Sequence, residues 1–225
     1  MRLSILTFLT LISVGFTHAA KVDTLIIHSK SMGKDIKNVV ILPDDYSKNK
    51  DAYAVVYLLH GAGGNYAQWV TGAPDIKDFA DQNNRIIVCP DGGKTSWYFD
   101  SPIDPKYQYE TYVSSELIEV IDQKLHTIKD KSGRAISGLS MGGHGAFYLA
   151  FRHQDIWGAA GSTSGGLDLR PFPNNWDIAK RIGIYSENPE RWEQSSITNM
   201  LYLVGGKQLK LLFVCCVDVF VYTAN

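Results

Sequence analysis

The chain is poor in cysteine, carries no excess of either charge, and lacks any apolar run of the roughly 20 residues that a membrane-spanning helix needs. Three cysteines in 225 residues cannot hold a disulfide-built domain together, and an odd number leaves at least one thiol unpaired unless chains cross-link. The 22 Lys and Arg residues nearly balance 23 Asp and Glu, for a net charge of -1, which gives no basic footprint for nucleic acid. No internal repeat, low-complexity tract or domain-sized linker is present. What remains is 45% hydrophobic, 12% aromatic and 20% charged, the profile of one compact domain held together by packing.

The first residues read as a leader rather than as part of the fold. Arg2 supplies a positive charge, residues 3–16 form an apolar stretch too short to span a bilayer, and Thr17-His18-Ala19-Ala20 offers small residues for cleavage. Cleavage after Ala19 places Thr17 and Ala19 at the selective positions, whereas cleavage after Ala20 puts the bulkier His18 there. The expected organisation is a leader over residues 1–20 and one domain over 21–225, with a mature start at Ala20 or Lys21. That organisation implies a secreted or periplasmic protein without stable membrane insertion after processing.

Beyond the leader, short β-rich runs alternate with helical periodicity. Residues 24–27 and 38–42 read as strands separated by the Gly33 turn and able to pair as a hairpin. Residues 54–59 and 85–89 are continuous apolar runs, as in strands buried on both faces. Ile76, Phe79 and Ala80 lie between them at helical spacing. Val113, Leu117, Val120, Ile121, Leu125 and Ile128 mark an amphipathic helix, and residues 134–137 a further strand. This alternation predicts an α/β layer architecture with a mostly parallel sheet.

The most informative motif sits where that last strand ends. Gly138-Leu139-Ser140-Met141-Gly142 has the form G-x-S-x-G and runs into a helical segment, Gly143-His144-Gly145-Ala146-Phe147-Tyr148-Leu149-Ala150. A nucleophile elbow needs a strand, a turn too tight for side chains at its flanks, and a helix whose N-terminus faces the reacting centre. All three are present, although a glycine-rich strand-to-helix turn with an ordinary serine has the same local pattern. A second glycine-rich loop, His60-Gly61-Ala62-Gly63-Gly64, follows the 54–59 strand. Such a loop can bring a backbone N–H to an oxyanion, alongside the N–H of Met141.

These segments resemble the esterase D-like family of α/β-hydrolases, which includes feruloyl esterases, acetylxylan esterases, S-formylglutathione hydrolases and the mycolyltransferases. The resemblance covers most of the mature chain. It rests on Tyr57-Leu58-Leu59-His60-Gly61-Ala62-Gly63-Gly64 with Trp69, and on Cys89-Pro90-Asp91-Gly92-Gly93 with Trp97. It rests also on Tyr109-Glu110-Thr111-Tyr112 with Glu116-Leu117, and on the stretch from Gly138 to Ala146. It implies a three-layer α/β-hydrolase fold in which Ser140 is the nucleophile and the N–H groups of Ala62 and Met141 form the oxyanion hole. No cofactor is implied.

The family completes its triad with an acid after a late strand and a histidine further on, and here the chain departs from the pattern. Residues 209–220 resemble that strand and acid loop, but Val219 stands at the position of the acid and Asp218 is the neighbouring carboxylate. Asp218 serves as the acid only if the loop shifts by one residue, and is otherwise a solvated loop residue. The six histidines, His18, His28, His60, His126, His144 and His153, all precede it. The chain order Ser, acid, His is therefore not completed, and the reading is of a domain that lacks its C-terminal strand and helix. The adjacent Cys215 and Cys216 have no further ligands nearby, so no metal site is expected.

Substrate information is sparser. Trp69 and Trp97, with Tyr98, Phe99, Trp176 and Trp192, are candidates for a groove around an acyl or sugar group, although each alone is ordinary core filler. Residues 165–192, rich in Pro and Asn, read as an irregular excursion over the site. The expected activity is hydrolysis of carboxylic esters, feruloyl, acetyl or short acyl, on a small molecule or a polysaccharide. A non-catalytic hydrolase-fold protein and an acyltransferase are the alternatives.

Overall fold

A computed structural model describes residues 20–46, 51–206 and 208–215. Its centre is a seven-stranded sheet in the order β1-β2-β4-β3-β5-β6-β7. β1 (Lys21–Ser29) and β2 (Lys34–Leu42) form the expected hairpin, pairing Lys21 with Leu42 and Ser29 with Lys34. Gly33 closes the turn at a φ of 61°, a left-handed conformation that costs glycine little. β2 pairs antiparallel with β4 (Ile86–Pro90), and from there β3 (Val55–Leu59), β5 (Arg134–Leu139), β6 (Ala159–Thr163) and β7 (Lys210–Val214) continue in parallel. Every residue of β4 is buried, as its unbroken apolar run requires.

Helices cover both faces and make the three layers. On one face α1 (Gln68–Gly72) and α2 (Ile76–Asn83) lie over β2 and β4, where Ala80 packs with Val39, Ile41, Ile87 and Cys89. Burial among these side chains pushes the Cys89 thiol up to about 12, so it stays a neutral core residue. Phe79, on the same helix, points outward and is exposed. The opposite face carries the main core, built from α4 (Leu117–Lys124) and α5 (Met141–Arg152) against the central strands.

The 113–128 periodicity is only partly helical. Helical structure starts earlier, at α3 (Tyr109–Thr111), passes through a π turn over Tyr112–Glu116 and ends with α4, and Leu125 is already extended. The reason lies at the start, where Glu110 is 8% exposed yet fully engaged. It accepts hydrogen bonds from Tyr148 Oη at 3.2 Å and Arg152 Nε at 2.7 Å, and pairs with His153 Nε2 at 2.8 Å. Burial pushes the Glu110 carboxyl up, but these partners outweigh it and hold it below its ordinary value. The later chain forms two short helices, α6 (Ile178–Ile182) and α7 (Pro189–Ser195), before β7. Among the described residues no helix is long and apolar enough to cross a membrane.

Candidate active site

Ser140 sits between β5 and α5 in a conformation that few non-glycine residues adopt, φ 56° and ψ -118°. Sterics around it explain the motif. A Cβ on Gly138 would lie 2.3 Å from the Gly142 carbonyl oxygen, and one on Gly142 would lie 2.3 Å from that of Leu59. Only glycine allows the strand to reverse this sharply into the helix, so the side chain between them is thrust out at the crest. The serine is held from both sides by its backbone, with its N–H donating to Thr163 O at 2.9 Å and its carbonyl accepting His144 N–H at 3.0 Å.

The His60 loop lies against this turn, since a Cβ on Gly61 would stand 3.6 Å from Ser140 Cβ. Ala62 and Ser140 line one small cavity together with Trp97, Gly166, Leu169, Phe172 and Trp176. Among the described residues neither the Ala62 N–H nor the Met141 N–H donates to another protein group. Met141 opens α5, so its amide is one of the four that a helix start leaves free, and the helix dipole adds positive potential there. Ala62 and Ser140 thus border one space, and the unspent amide of Met141 follows the serine directly in the chain; two such amides near one hydroxyl can bind a developing oxyanion.

Each histidine near the site has another task. His60 is 1% exposed; its Nδ1–H donates to Gly61 O at 2.8 Å and its Nε2 accepts Gly92 N–H at 2.8 Å, which fixes the tautomer and occupies both nitrogens. It ties the glycine loop after β3 to the one after β4. His144 is fully buried one turn along α5, where Nε2–H donates to Ser195 O at 2.8 Å. Trp97, Phe99 and Tyr148 enclose its ring, and burial pushes its pKa down from 6.5 to about 4, so the imidazole is neutral. Further away, His153 pairs with Glu110, His28 with Asp35 at 2.7 Å, and the ring of His126 packs edge-on against Tyr46. No described residue hydrogen-bonds Ser140 Oγ. The candidate acid Asp218, leader residues 1–19 and Cys216 lie outside the described residues.

The aromatic candidates divide by position. Trp97 is 3% exposed, lines the cavity, and donates from Nε1 to Trp176 O at 3.1 Å, so two distant loops meet above the serine. Trp69 does not line the cavity. Its Nε1 donates to Leu59 O at 3.2 Å and its ring packs with the α2-side cluster, because α1 turns it under the loop. Tyr98, Phe99 and Trp192 are core residues, with Trp192 Nε1 spent on Gly183 O at 2.9 Å. Gly166, Leu169 and Phe172 are cavity walls that no motif marks; the only signal for them is the irregular excursion that carries them. A larger cleft of about 730 Å³ lies elsewhere, between Arg152, Arg170 and Leu203, and no serine, threonine or cysteine lines it.

The family model described as "Putative esterase" matches residues 29–208. Esterase Rv1288 of Mycobacterium tuberculosis is 36% identical over 134 residues, covering 58% of this chain and 29% of that protein. The diacylglycerol acyltransferase/mycolyltransferase Ag85A of Mycobacterium bovis is 33% identical over 156 residues, 65% of this chain and 44% of that one. The chain thus spans less than half the length of these two curated relatives. Among solved structures, the fluorophosphonate-binding serine hydrolase F of Staphylococcus aureus superposes with a TM-score of 0.78 at 21% identity, over 92% of this chain and 83% of that one, a likeness of fold.

Proposed function

The chain belongs to this esterase family, and on that premise we propose that it is an exported serine carboxylesterase that cleaves short-acyl carboxylic esters through an acyl-enzyme on Ser140. The observation that carries the proposal is the half-buried elbow serine that lines one cavity with Ala62, with the amides of Ala62 and Met141 both free of protein acceptors. Ser140 Oγ attacks the ester carbonyl carbon, and the carbonyl oxygen takes up negative charge. The N–H groups of Ala62 and Met141 stabilise it, each by about 3 kcal/mol. The C–O bond to the alcohol breaks and the alcohol leaves with a proton; water then attacks the acyl-enzyme, releases the acid and restores the serine.

Cavity size supports the short end of the acyl range. The space beside Ser140 is about 30 Å³, where one water-sized probe needs about 10–15 Å³. So narrow a space favours a small acyl group such as acetyl over a feruloyl group. Together with the leader, this points to acetyl esters outside the cell, such as those on polysaccharide.

One observation favours a second reading. A free hydroxyl is a poor nucleophile at neutral pH without a base, and none of the five described histidines reaches Ser140 Oγ. An oxyanion hole working alone leaves about 10³ to 10⁴-fold acceleration over water, which is the behaviour of a hydrolase-fold protein without useful turnover. The similarity to Ag85A keeps a third outcome, in which an alcohol replaces water in the second step. The test is a panel of p-nitrophenyl acetate, butyrate and octanoate with the purified protein and with Ser140→Ala. Acetate should be turned over at least ~10-fold faster than octanoate, and only by the protein that keeps Ser140. Equal rates with and without Ser140, or none with either, overturn the esterase reading.

A further inference from the structure

Ala20 differs from the strand it leads into. Residues 21–24 of β1 are exposed, yet Ala20 is 7% exposed and packs with Val39, Ile41, Ala80, Ile87 and Cys89. Its backbone N–H donates to Asp81 Oδ2 at 2.9 Å, while Asp81 Oδ1 accepts Asp44 N–H at 2.8 Å. Asp81 belongs to α2, so one carboxylate gathers the start of β1 and the segment after β2 onto the same helix.

We propose that the chain is processed between Ala19 and Ala20, and that the Asp81 carboxylate is the receptor for the amino terminus this creates. The proposal rests on the reading of the chain as an exported protein. In the step, an endopeptidase directs water onto the Ala19–Ala20 amide. Hydroxide bonds to the Ala19 carbonyl carbon, the C–N bond breaks, and the Ala20 nitrogen takes up protons to become an ammonium group. The donor to Asp81 changes from a neutral amide to a cation, and charge-assisted hydrogen bonds are about twice as strong as neutral ones.

The sequence leaves cleavage after Ala19 and after Ala20 both open, and the structure separates them. Cutting after Ala20 removes a buried methyl from the α2 cluster and takes the donor away from Asp81 Oδ2, leaving a half-buried carboxylate oxygen unpaired. Cutting after Ala19 keeps both.

Expression of the full chain in a secreting host, followed by intact-mass measurement of the exported protein, tests the site. The first residue should be Ala20. A product beginning at Lys21 overturns the proposal and leaves export standing, whereas a product that retains residues 1–19 overturns both. The receptor is tested by melting. The chain beginning at Ala20 should melt about 3 °C above one made to begin at Lys21, and in an Asp81→Asn background the difference should shrink to about 1 °C. Equal melting of the two chains, or a difference that Asp81→Asn leaves unchanged, overturns the role of Asp81.

Discussion

Helix α5 and strand β7 are both strongly apolar in sequence and both border β6, yet their surroundings are opposite. Every residue from Met141 to Phe151 is buried, including the three glycines and His144, whereas all five residues of β7 are exposed, Leu212 by 65%. The helix is enclosed by β3, β5 and β6 below and by Trp97, Phe99 and the 190s segment around His144. Among the described residues the strand pairs with one neighbour, β6, along one edge. Apolar composition states a demand for burial and the topology decides whether it is met. The turn that carries Ser140 is therefore packed mainly against β3, β5 and β6 rather than against β7.

The largest expected effect breaks the close packing under the elbow. Gly142→Ala would place a methyl 2.3 Å from Leu59 O and 2.7 Å from His60 O, both backbone atoms that cannot rotate aside. We expect a loss of more than ~4 kcal/mol in urea unfolding, or no soluble protein. A loss below ~1 kcal/mol would show that the crest is softer than the helix beneath it.

A smaller effect follows from the neutral His144. In the folded protein burial pushes its pKa from 6.5 to about 4, and the unfolded ring takes up a proton below about 6.5. The unfolded state thus binds more protons between those values, so this contribution is complete above about pH 6.5 and is lost as pH falls toward 4. Between pH 7 and pH 5 the loss should be ~2 kcal/mol by denaturant midpoint, and His144→Phe should flatten that slope. An unchanged slope in the variant would place the acid sensitivity elsewhere.

The smallest effect belongs to β7. Leu212→Thr should change stability by less than ~0.5 kcal/mol, because the side chain it replaces is already in water. A loss above ~2 kcal/mol in thermal melts would mean that something covers this edge in solution, and the contrast with α5 would fail.

The elbow was legible because its requirement is steric: glycines at 138 and 142 admit no other side chain, and that need is visible in five letters of sequence. The hairpin about Gly33 and the buried run of β4 were legible for similar local reasons. Roles set by distant partners were not. Nothing near Glu110 announces that Arg152 and His153 will meet it, and so the helix begins earlier than its apolar spacing indicates. Trp69 and Trp97 follow comparable glycine-rich loops, but only the second faces the cavity, a difference decided by where Leu59 O and Trp176 O accept their indoles. Leu169 and Phe172 became walls through the path of an irregular segment that carries no periodic signal.

The indole bond from Trp97 to Trp176, with Thr95 Oγ1 meeting Asp177 Oδ2 at 3.3 Å beside it, makes two loops into a single span across the mouth of the site. Moving either loop alone breaks these bonds. If acyl esters bind beside Ser140 as proposed, loosening this fastening should admit larger guests without touching the serine.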